Sequence, residues 1–193
     1  RRSKADTAKN VELLSETWAT REGLNIAFKS LSGTVFKEIV KCAEDIEADL
    51  IIMGTHGTSG FEEFWMGSVA FRVVSSATVP VITIQETYEN EKFDKIVLPI
   101  DHSKETRQKM PMAIAMAKYF DAEIHLFMTS KFSDDDMINK VRQYGKQCAI
   151  MLKEDRIKYT LDYEFGKNIA ESTINYSKKV DANLIIMMAE SEP

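Results

Sequence analysis

Short apolar runs alternate along the chain with longer amphipathic segments, and this alternation predicts strands followed by helices. Apolar runs bounded by turn residues, such as 95–100, are typical of buried strands. Segments with apolar positions three and four apart, such as 34–47, predict helices that bury one face. The predicted helices cover 5–21, 34–47, 67–77, 104–120, 134–154 and 167–180, and the predicted strands cover 24–31, 50–53, 79–84, 95–100, 123–128, 158–164 and 183–187. Such an alternation predicts an α/β fold with a parallel sheet and right-handed crossovers.

The chain also contains an internal repeat. The sequence ADLIIM at 48–53 recurs as ANLIIM at 182–187, and a glycine turn followed by a predicted helix precedes each copy. The polar segment 85–92 separates the two copies. We therefore predict two domains, residues 1–88 and residues 89–193, each holding part of the same repeated unit.

A glycine-rich segment follows the predicted strand 50–53. Gly54 and Gly57 are three positions apart, and Gly67 and Ser68 come after nine intervening residues. Glycines let the backbone approach an anion closely, and a helix N-terminus offers unpaired N–H groups to it. The same glycines could instead form only a tight turn. The pattern thus indicates a candidate phosphate-binding loop, in which Thr55 and His56 are further candidate contacts.

On these residues, the segment 48–84 resembles the nucleotide-binding end of a universal stress protein. The resemblance implies an adenine nucleotide alpha hydrolase-like fold, which is a doubly wound parallel sheet of strand order 3-2-1-4-5. It also implies that the loop glycines and Ser68 hold the phosphates of ATP or a related adenine nucleotide, with or without Mg²⁺. Asp101, directly after the predicted strand 95–100, would contact the adenine region by the same resemblance. A carboxylate at that position could equally cap the following helix.

Each copy holds only part of a five-stranded domain of this family. The first copy begins before the third strand, predicted at 24–31, and the second copy lacks its last helix and strand. A third strand without its neighbour would expose an unpaired edge, so we expect another chain or further sequence to complete the first sheet. At the loop position of the second copy, Met188 replaces the first glycine and Glu190 adds a negative charge. We therefore expect no nucleotide in the second copy.

Composition narrows the function classes. A net charge of -5 and the lack of a basic stripe in the sequence argue against a nucleic-acid partner. No apolar run approaches the roughly 20 residues that cross a bilayer, so we expect no membrane partner. Cys42 and Cys148 lie on separate predicted helices without metal-ligand spacing. Cys42 falls on the apolar stripe of its helix with Ile39 and Val40, so we predict a core thiol there and a reducing cytoplasm.

The sequence therefore favours a cytoplasmic protein of the stress response that binds ATP as a regulatory ligand. No side chains have the spacing of a catalytic pair, so we expect at most a slow ATPase activity. The alternative is an interaction module of the same fold that binds no nucleotide. In that reading the strand containing Val81–Ile84 pairs across a homodimer or tandem interface, as the family's fifth strand commonly does.

Overall fold

The computed structural model describes residues 4–55, 66–85 and 92–189. The described residues up to 85 form one compact unit, and those from 92 to 189 form a second. The division falls within the polar segment that the sequence predicts as a linker. Within the described ranges, no helix has the length and apolar character that crossing a membrane requires.

The described residues of the first unit form a two-stranded parallel sheet with helices packed on one face. Its elements are α1 (Lys4–Glu22), α2 (Val35–Asp45), β1 (Ile51–Gly54), α3 (Ser68–Ser76) and β2 (Val81–Ile84). β1 and β2 pair in register, with Ile51 opposite Val81. A small core forms where Ala43 of α2, Ile51 of β1 and Val73 of α3 are buried together.

The prediction of a strand at 24–31 is wrong. These residues form neither a strand nor a helix, and the alternating side chains of Leu24, Ile26 and Phe28 are exposed. In the predicted strand order the third strand pairs with the second, and the described residues of the first unit provide no such neighbour. A strand needs a pairing partner because its backbone N–H and C=O groups otherwise stay unpaired. Alternation of apolar residues is therefore not sufficient to form a strand at 24–31.

The second unit contains four parallel strands. Its elements are β3 (Lys95–Ile100), a 3₁₀ turn (Glu105–Arg107), α4 (Met110–Phe120), β4 (Glu123–Ser130), α5 (Asp135–Glu154), β5 (Tyr159–Phe165), α6 (Ile169–Lys179) and β6 (Leu184–Ile185). The sheet order is β5-β4-β3-β6, which matches the 3-2-1-4 part of the predicted order. The predicted helix 104–120 begins as the 3₁₀ turn and becomes α-helical at Met110, with Pro111 in the first turn, where a missing N–H costs nothing.

Both faces of the second sheet are buried. Ile96 and Leu98 of β3 and Ile124 of β4 face the core beneath α4 and α5. On the other face, Val97 and Phe127 pack with Tyr176 of α6. Strands that are covered on both faces read as continuous apolar runs, which is why periodicity of two is absent from 96–100.

Four helices end in the same way. A non-glycine residue with positive φ follows each of α2, α4, α5 and α6: Glu47, Asp121, Arg156 and Asp181, with φ between 50° and 58°. The next residue in each case donates its N–H to the carbonyl oxygen five residues earlier, at 2.9 Å. These four donors are Ala48, Ala122, Ile157 and Ala182. This Schellman arrangement pairs carbonyls that the helix end leaves open and turns the chain toward the next strand.

Candidate functional site

In the first unit, the end of β1 is joined to the start of α3 by backbone hydrogen bonds. The N–H of Gly67 donates to the carbonyl oxygen of Thr55 at 2.8 Å. The N–H of Thr55 in turn donates to the carbonyl oxygen of Ile84 at 3.0 Å. Thr55 is buried, so these bonds fix the rim of the sheet next to the N-terminus of α3.

Gly67 is required by this close contact. A Cβ at position 67 would lie 2.9 Å from the carbonyl oxygen of Thr55, which is closer than real Cβ atoms approach. The resemblance implies that Gly67 helps to hold the phosphates, whereas its N–H is already bonded within the chain. Gly67 thus stabilises the turn, and it would contribute to an anion site only by positioning Ser68.

The N-terminus of α3 is the electropositive part of this rim. Ser68 is its first residue and is exposed, and Gly54, the last residue of β1, is exposed as well. The N–H groups of the first helical turn have no partner inside the helix and carry the positive end of its dipole. Arg72 lies one turn further on the same helix face as Ser68, with its guanidinium carbon 5.3 Å from the ring centre of Phe36.

The sequence analysis missed Arg72. Arg72 is the one charged residue in α3, and its spacing of four from Ser68 was the signal that could have identified it. Of the other predicted contacts, His56 and Gly57 lie outside the described residues. The structure therefore brings together Gly54, Thr55, Gly67 and Ser68, while Asp101 belongs to the second unit.

Asp101 closes a turn at the end of β3. One carboxylate oxygen accepts hydrogen bonds from the N–H of Ser103 at 2.9 Å and from its hydroxyl at 2.6 Å, and the N–H of Asp101 donates to Thr106 Oγ1 at 3.1 Å. Burial alone would raise the pKa of Asp101, but the hydrogen bonds from Ser103 and the nearby charge of Lys109 bring it below its usual value. The geometry is that of a side chain organising its own loop.

Lys109 is a buried cation beneath the same turn. Its ammonium donates to the carbonyl oxygen of Pro99, and Thr106 Oγ1 lies 3.4 Å from Nζ. Burial lowers the pKa of Lys109 to about 8, an effect that the carboxylate of Asp101 partly opposes. Lys109 was not among the predicted site residues, and it lies on the same helix face as the buried Ala113 and Ala117.

The predicted core thiol was Cys42, but the fully buried thiol is that of Cys148. Burial raises the pKa of its thiol, against the opposing charges of Lys109 and Arg107, so the reactive thiolate is disfavoured. Cys42 is half-buried on α2. Among the residues that the structure describes, no three His, Cys, Asp or Glu side chains form a group that could hold a metal ion.

The strand order of the second unit and the covered parallel sheets define an α/β fold of the adenine nucleotide alpha hydrolase-like type. A crystal structure of a universal stress protein from Archaeoglobus fulgidus DSM 4304 superposes with a TM-score of 0.75, covering 94% of this chain and 66% of that chain. The two sequences are 21% identical, so this likeness concerns the fold alone.

Sequence comparisons relate the first unit to a known family. Residues 2–85 match the profile of the Universal stress protein family. One universal stress protein of Methanocaldococcus jannaschii is 40% identical over 81 residues, which are 42% of this chain and 45% of that protein. A second one from the same organism is 42% identical over 53 residues, 28% of this chain and 33% of that protein. The matched segments thus span less than half of either relative's length. The chain is therefore similar to universal stress proteins over residues 2–85, which make up less than half of its length.

Proposed function

We propose that the chain acts in the stress response by binding an adenine nucleotide through the rim of the first unit. The similarity of residues 2–85 to the Universal stress protein family supports the proposed stress-response role. Nucleotide binding would depend on the N-terminus of α3, which the hydrogen bond from Gly67 to Thr55 holds beside the end of β1. This bond is the observation on which the proposal depends, because it gives the first turn of α3 a fixed place at the sheet rim.

The described residues of this rim suit an anion. Ser68 offers an exposed hydroxyl, the N–H groups of Ser68, Val69 and Ala70 lie in the first helical turn, and Arg72 adds a positive charge. Phosphate oxygens would accept hydrogen bonds from these donors. Asp101 belongs to the second unit, where one of its carboxylate oxygens already accepts two bonds from Ser103, and its contact with adenine stays a prediction from the resemblance. The proposed output is regulatory, with ATP acting as a ligand.

ATP titration by isothermal calorimetry tests the proposal with the full chain. Ser68→Asp should weaken ATP binding about tenfold or more, because a carboxylate would replace the hydroxyl that faces the phosphates. The same charge favours the N-terminus of a helix, so loss of α3 is not an explanation for weaker binding. Ser76→Asp, at the other end of the same helix, is the matched control and should bind within about twofold of the wild type.

Two results would contradict nucleotide binding at this rim. One is the absence of a measurable heat with ATP for the wild-type chain. The other is equal ATP affinity for the wild type and for the Ser68→Asp variant. Parallel titrations with adenosine and with inorganic tripolyphosphate separate the contribution of the base from that of the phosphates.

A second candidate function is strand pairing through β2. Among the described residues, β2 pairs with β1 alone, and Val81–Ile84 is apolar except for Thr83. The bonds from Ile51 to Pro80 and from Thr55 to Ile84 indicate that the peptide group of Thr83 points to the other edge. If β2 pairs between copies, Thr83→Pro should convert a dimer into a monomer in sedimentation equilibrium while leaving the bonds to β1 intact. A wild-type chain that is monomeric in the same measurement would remove this candidate.

A further inference from the structure

The outer edge of β5 forms a surface that the proposed nucleotide site does not use. β5 is the edge strand of the second sheet, with β4 as its neighbour within the described residues. Leu161 and Tyr163 are 48% and 58% exposed, and Phe165 stacks on Tyr163 with ring centres 5.5 Å apart. We call these three side chains, together with the outer edge of the strand, the β5 surface.

Hydrogen bonds at the two ends of β5 reveal which peptide groups face outward. The N–H of Ile124 donates to the carbonyl of Lys158, and the N–H of Gly166 donates to the carbonyl of Ser130. Because peptide groups alternate sides along a strand, even-numbered residues direct theirs to β4 and odd-numbered residues direct theirs outward. The N–H and C=O groups of Leu161 and Tyr163 therefore face the open edge. The N–H of Tyr163 donates to Asp162 Oδ1 at 2.8 Å, so an added strand would pair with the peptide groups of Leu161 and the carbonyl of Tyr163, or displace that side chain.

Cations on α5 flank this surface. The guanidinium carbon of Arg142 lies 5.6 Å from the ring centre of Tyr163 and 5.8 Å from that of Phe165. Lys146 and Lys153, four and eleven residues later, lie on the same face of α5 and are exposed. None of these three cations forms an ion pair with a described residue. Asp135 occupies the same helix face at its beginning, so the cationic stripe extends from Arg142 to Lys153.

The acidic residues of β5 lie on the opposite face of the strand and already have partners. Asp162 lies 3.8 Å from the ammonium of Lys179, and Glu164 lies 2.7 Å from that of Lys167. The α5 side of the edge consequently carries uncompensated positive charge beside exposed apolar side chains. A partner that matches this surface should combine negative charge with apolar side chains on an extended backbone.

We propose that the β5 surface binds an extended acidic segment of a partner protein, which adds to the outer edge of β5 as a further strand. The outward peptide groups of β5 supply the main-chain hydrogen bonds, and apolar side chains of the segment lie on Leu161 and Tyr163. Its carboxylates pair with Arg142, Lys146 and Lys153. A single-stranded nucleic acid would match the charge and the rings, but it has no amide backbone to pair with the open edge.

A second copy of this chain is a poorer match than an acidic segment. Two β5 strands that pair antiparallel in one continuous sheet would bring both α5 helices to the same side of that sheet. The stripes that begin at Arg142 would then face each other with like charge, which disfavours the pairing. Charge therefore selects an acidic partner over self-association.

Fluorescence anisotropy with the full chain tests the proposal. The probe is a labelled synthetic peptide of about eight residues with the repeat Glu-Thr-Val-Thr, which places Glu and Val on the same face of an extended strand, and its control carries Lys in place of each Glu. The acidic peptide should bind and the basic peptide should not, and added salt should weaken the binding. Arg142→Glu should reduce the affinity about tenfold or more, whereas Lys104→Glu, an equal charge change at an exposed lysine near the 3₁₀ turn, should leave it within about twofold.

A second variant separates strand addition from charge attraction alone. Leu161→Pro removes an outward N–H while the bonds to β4 remain, and it should also reduce the affinity about tenfold. Failure of the acidic peptide to bind the wild type overturns the proposal, as does equal affinity of the Arg142→Glu and Lys104→Glu variants. Preferential binding of a labelled oligothymidylate overturns it in favour of nucleic acid. A dimer in sedimentation that Leu161→Pro dissociates overturns it in favour of a second copy.

Discussion

The two copies of the repeated strand pair on opposite edges. β1 pairs with β2, the strand that follows it, whereas β6 pairs with β3, the first strand of its unit. Each has one paired edge among the described residues, although both sequences are continuous apolar runs. Such a run is typical of a strand with neighbours on both edges and helices on both faces. The repeated sequence thus has the character of a central strand that pairs on both edges. Among the described residues, β1 is paired on one of these edges and β6 on the other.

Burial follows from the helices that cover each sheet. The three buried residues of the first core are joined by partly buried side chains. The main core of the second unit contains fifteen buried residues, and helices cover both faces of its sheet. Ile52 in β1 is 62% exposed, while Leu98 in β3 is fully buried. Equally apolar side chains therefore contribute very differently to the stability of the two units.

The largest expected effect tests this difference directly. Leu98→Ala should lower the free energy of unfolding of the second unit by about 3–4 kcal/mol, since it leaves a cavity in a close-packed core. Ile52→Ala should cost less than about 0.5 kcal/mol, because its side chain is largely in solvent already. Native-state hydrogen exchange resolves the two units separately. If Ile52→Ala cost nearly as much as Leu98→Ala, the outer face of β1 would be covered in solution. That result would contradict the difference in burial between the two units.

Particular residues show how far the sequence predicts this fold. The apolar runs at 95–100 and 123–128 predicted β3 and β4 because both faces of these strands are buried. The predicted helix 134–154 corresponds to α5, which Asp134 caps by accepting the N–H of Met137 at 3.0 Å. The segment 24–31 failed because strand formation depends on a neighbour that is distant in sequence.

The site was less predictable than the fold. The glycine spacing located the rim, but Gly67 could be assigned to the turn only once its contact with the Thr55 carbonyl was known. The two explanations for Asp101 could not be separated without the bonds to Ser103. Lys109 was missed because a lysine in sequence gives no sign that its ammonium is buried against a backbone carbonyl.

The next effect concerns a buried charge in the second unit. In the folded chain the pKa of Lys109 is about 8, below its ordinary value of 10.5. The neutral amine is therefore favoured in the folded state, and the wild type should gain stability as pH rises from about 8 to 10.5, by about 3 kcal/mol in all. Below pH 8 the amine is protonated in both states and this contribution is lost. Lys109→Met should remove the pH-dependent gain.

Urea unfolding of the wild type and the Lys109→Met variant at several pH values between 7 and 10.5 measures this pH-dependent gain in stability. The difference between wild type and the Lys109→Met variant cancels the titration of the other lysines and tyrosines. A difference that stays constant with pH would mean that the ammonium is solvated in the folded chain. Lys118→Met, at an exposed lysine paired with Asp155, is the matched control and should show no comparable slope.

The smallest effect compares two glycines, one from each unit. Gly67→Ala should destabilise the first unit by about 1–2 kcal/mol, because the added Cβ meets a backbone oxygen that cannot move independently. At Gly145 in α5 the added Cβ would meet the flexible side chain of Met128, and alanine favours the helix, so Gly145→Ala should change stability by less than about 1 kcal/mol. Thermal unfolding, monitored by hydrogen exchange, measures the stability change of both variants. A larger cost at position 145 would reverse the expected order and show that Met128 is locked in place.

The helix ends at Glu47 and Asp181 give the repeat a further meaning. These residues occupy equivalent places, each followed by Ala and then by the repeated apolar strand, and each adopts a left-handed backbone that glycine would adopt at lower cost. The repeat therefore includes the helix end as well as the strand that follows it, so the repeated sequence also encodes the direction in which each strand enters its sheet. In this chain an acidic residue before Ala-Asp or Ala-Asn marks that helix end, which a search for glycine alone would not find.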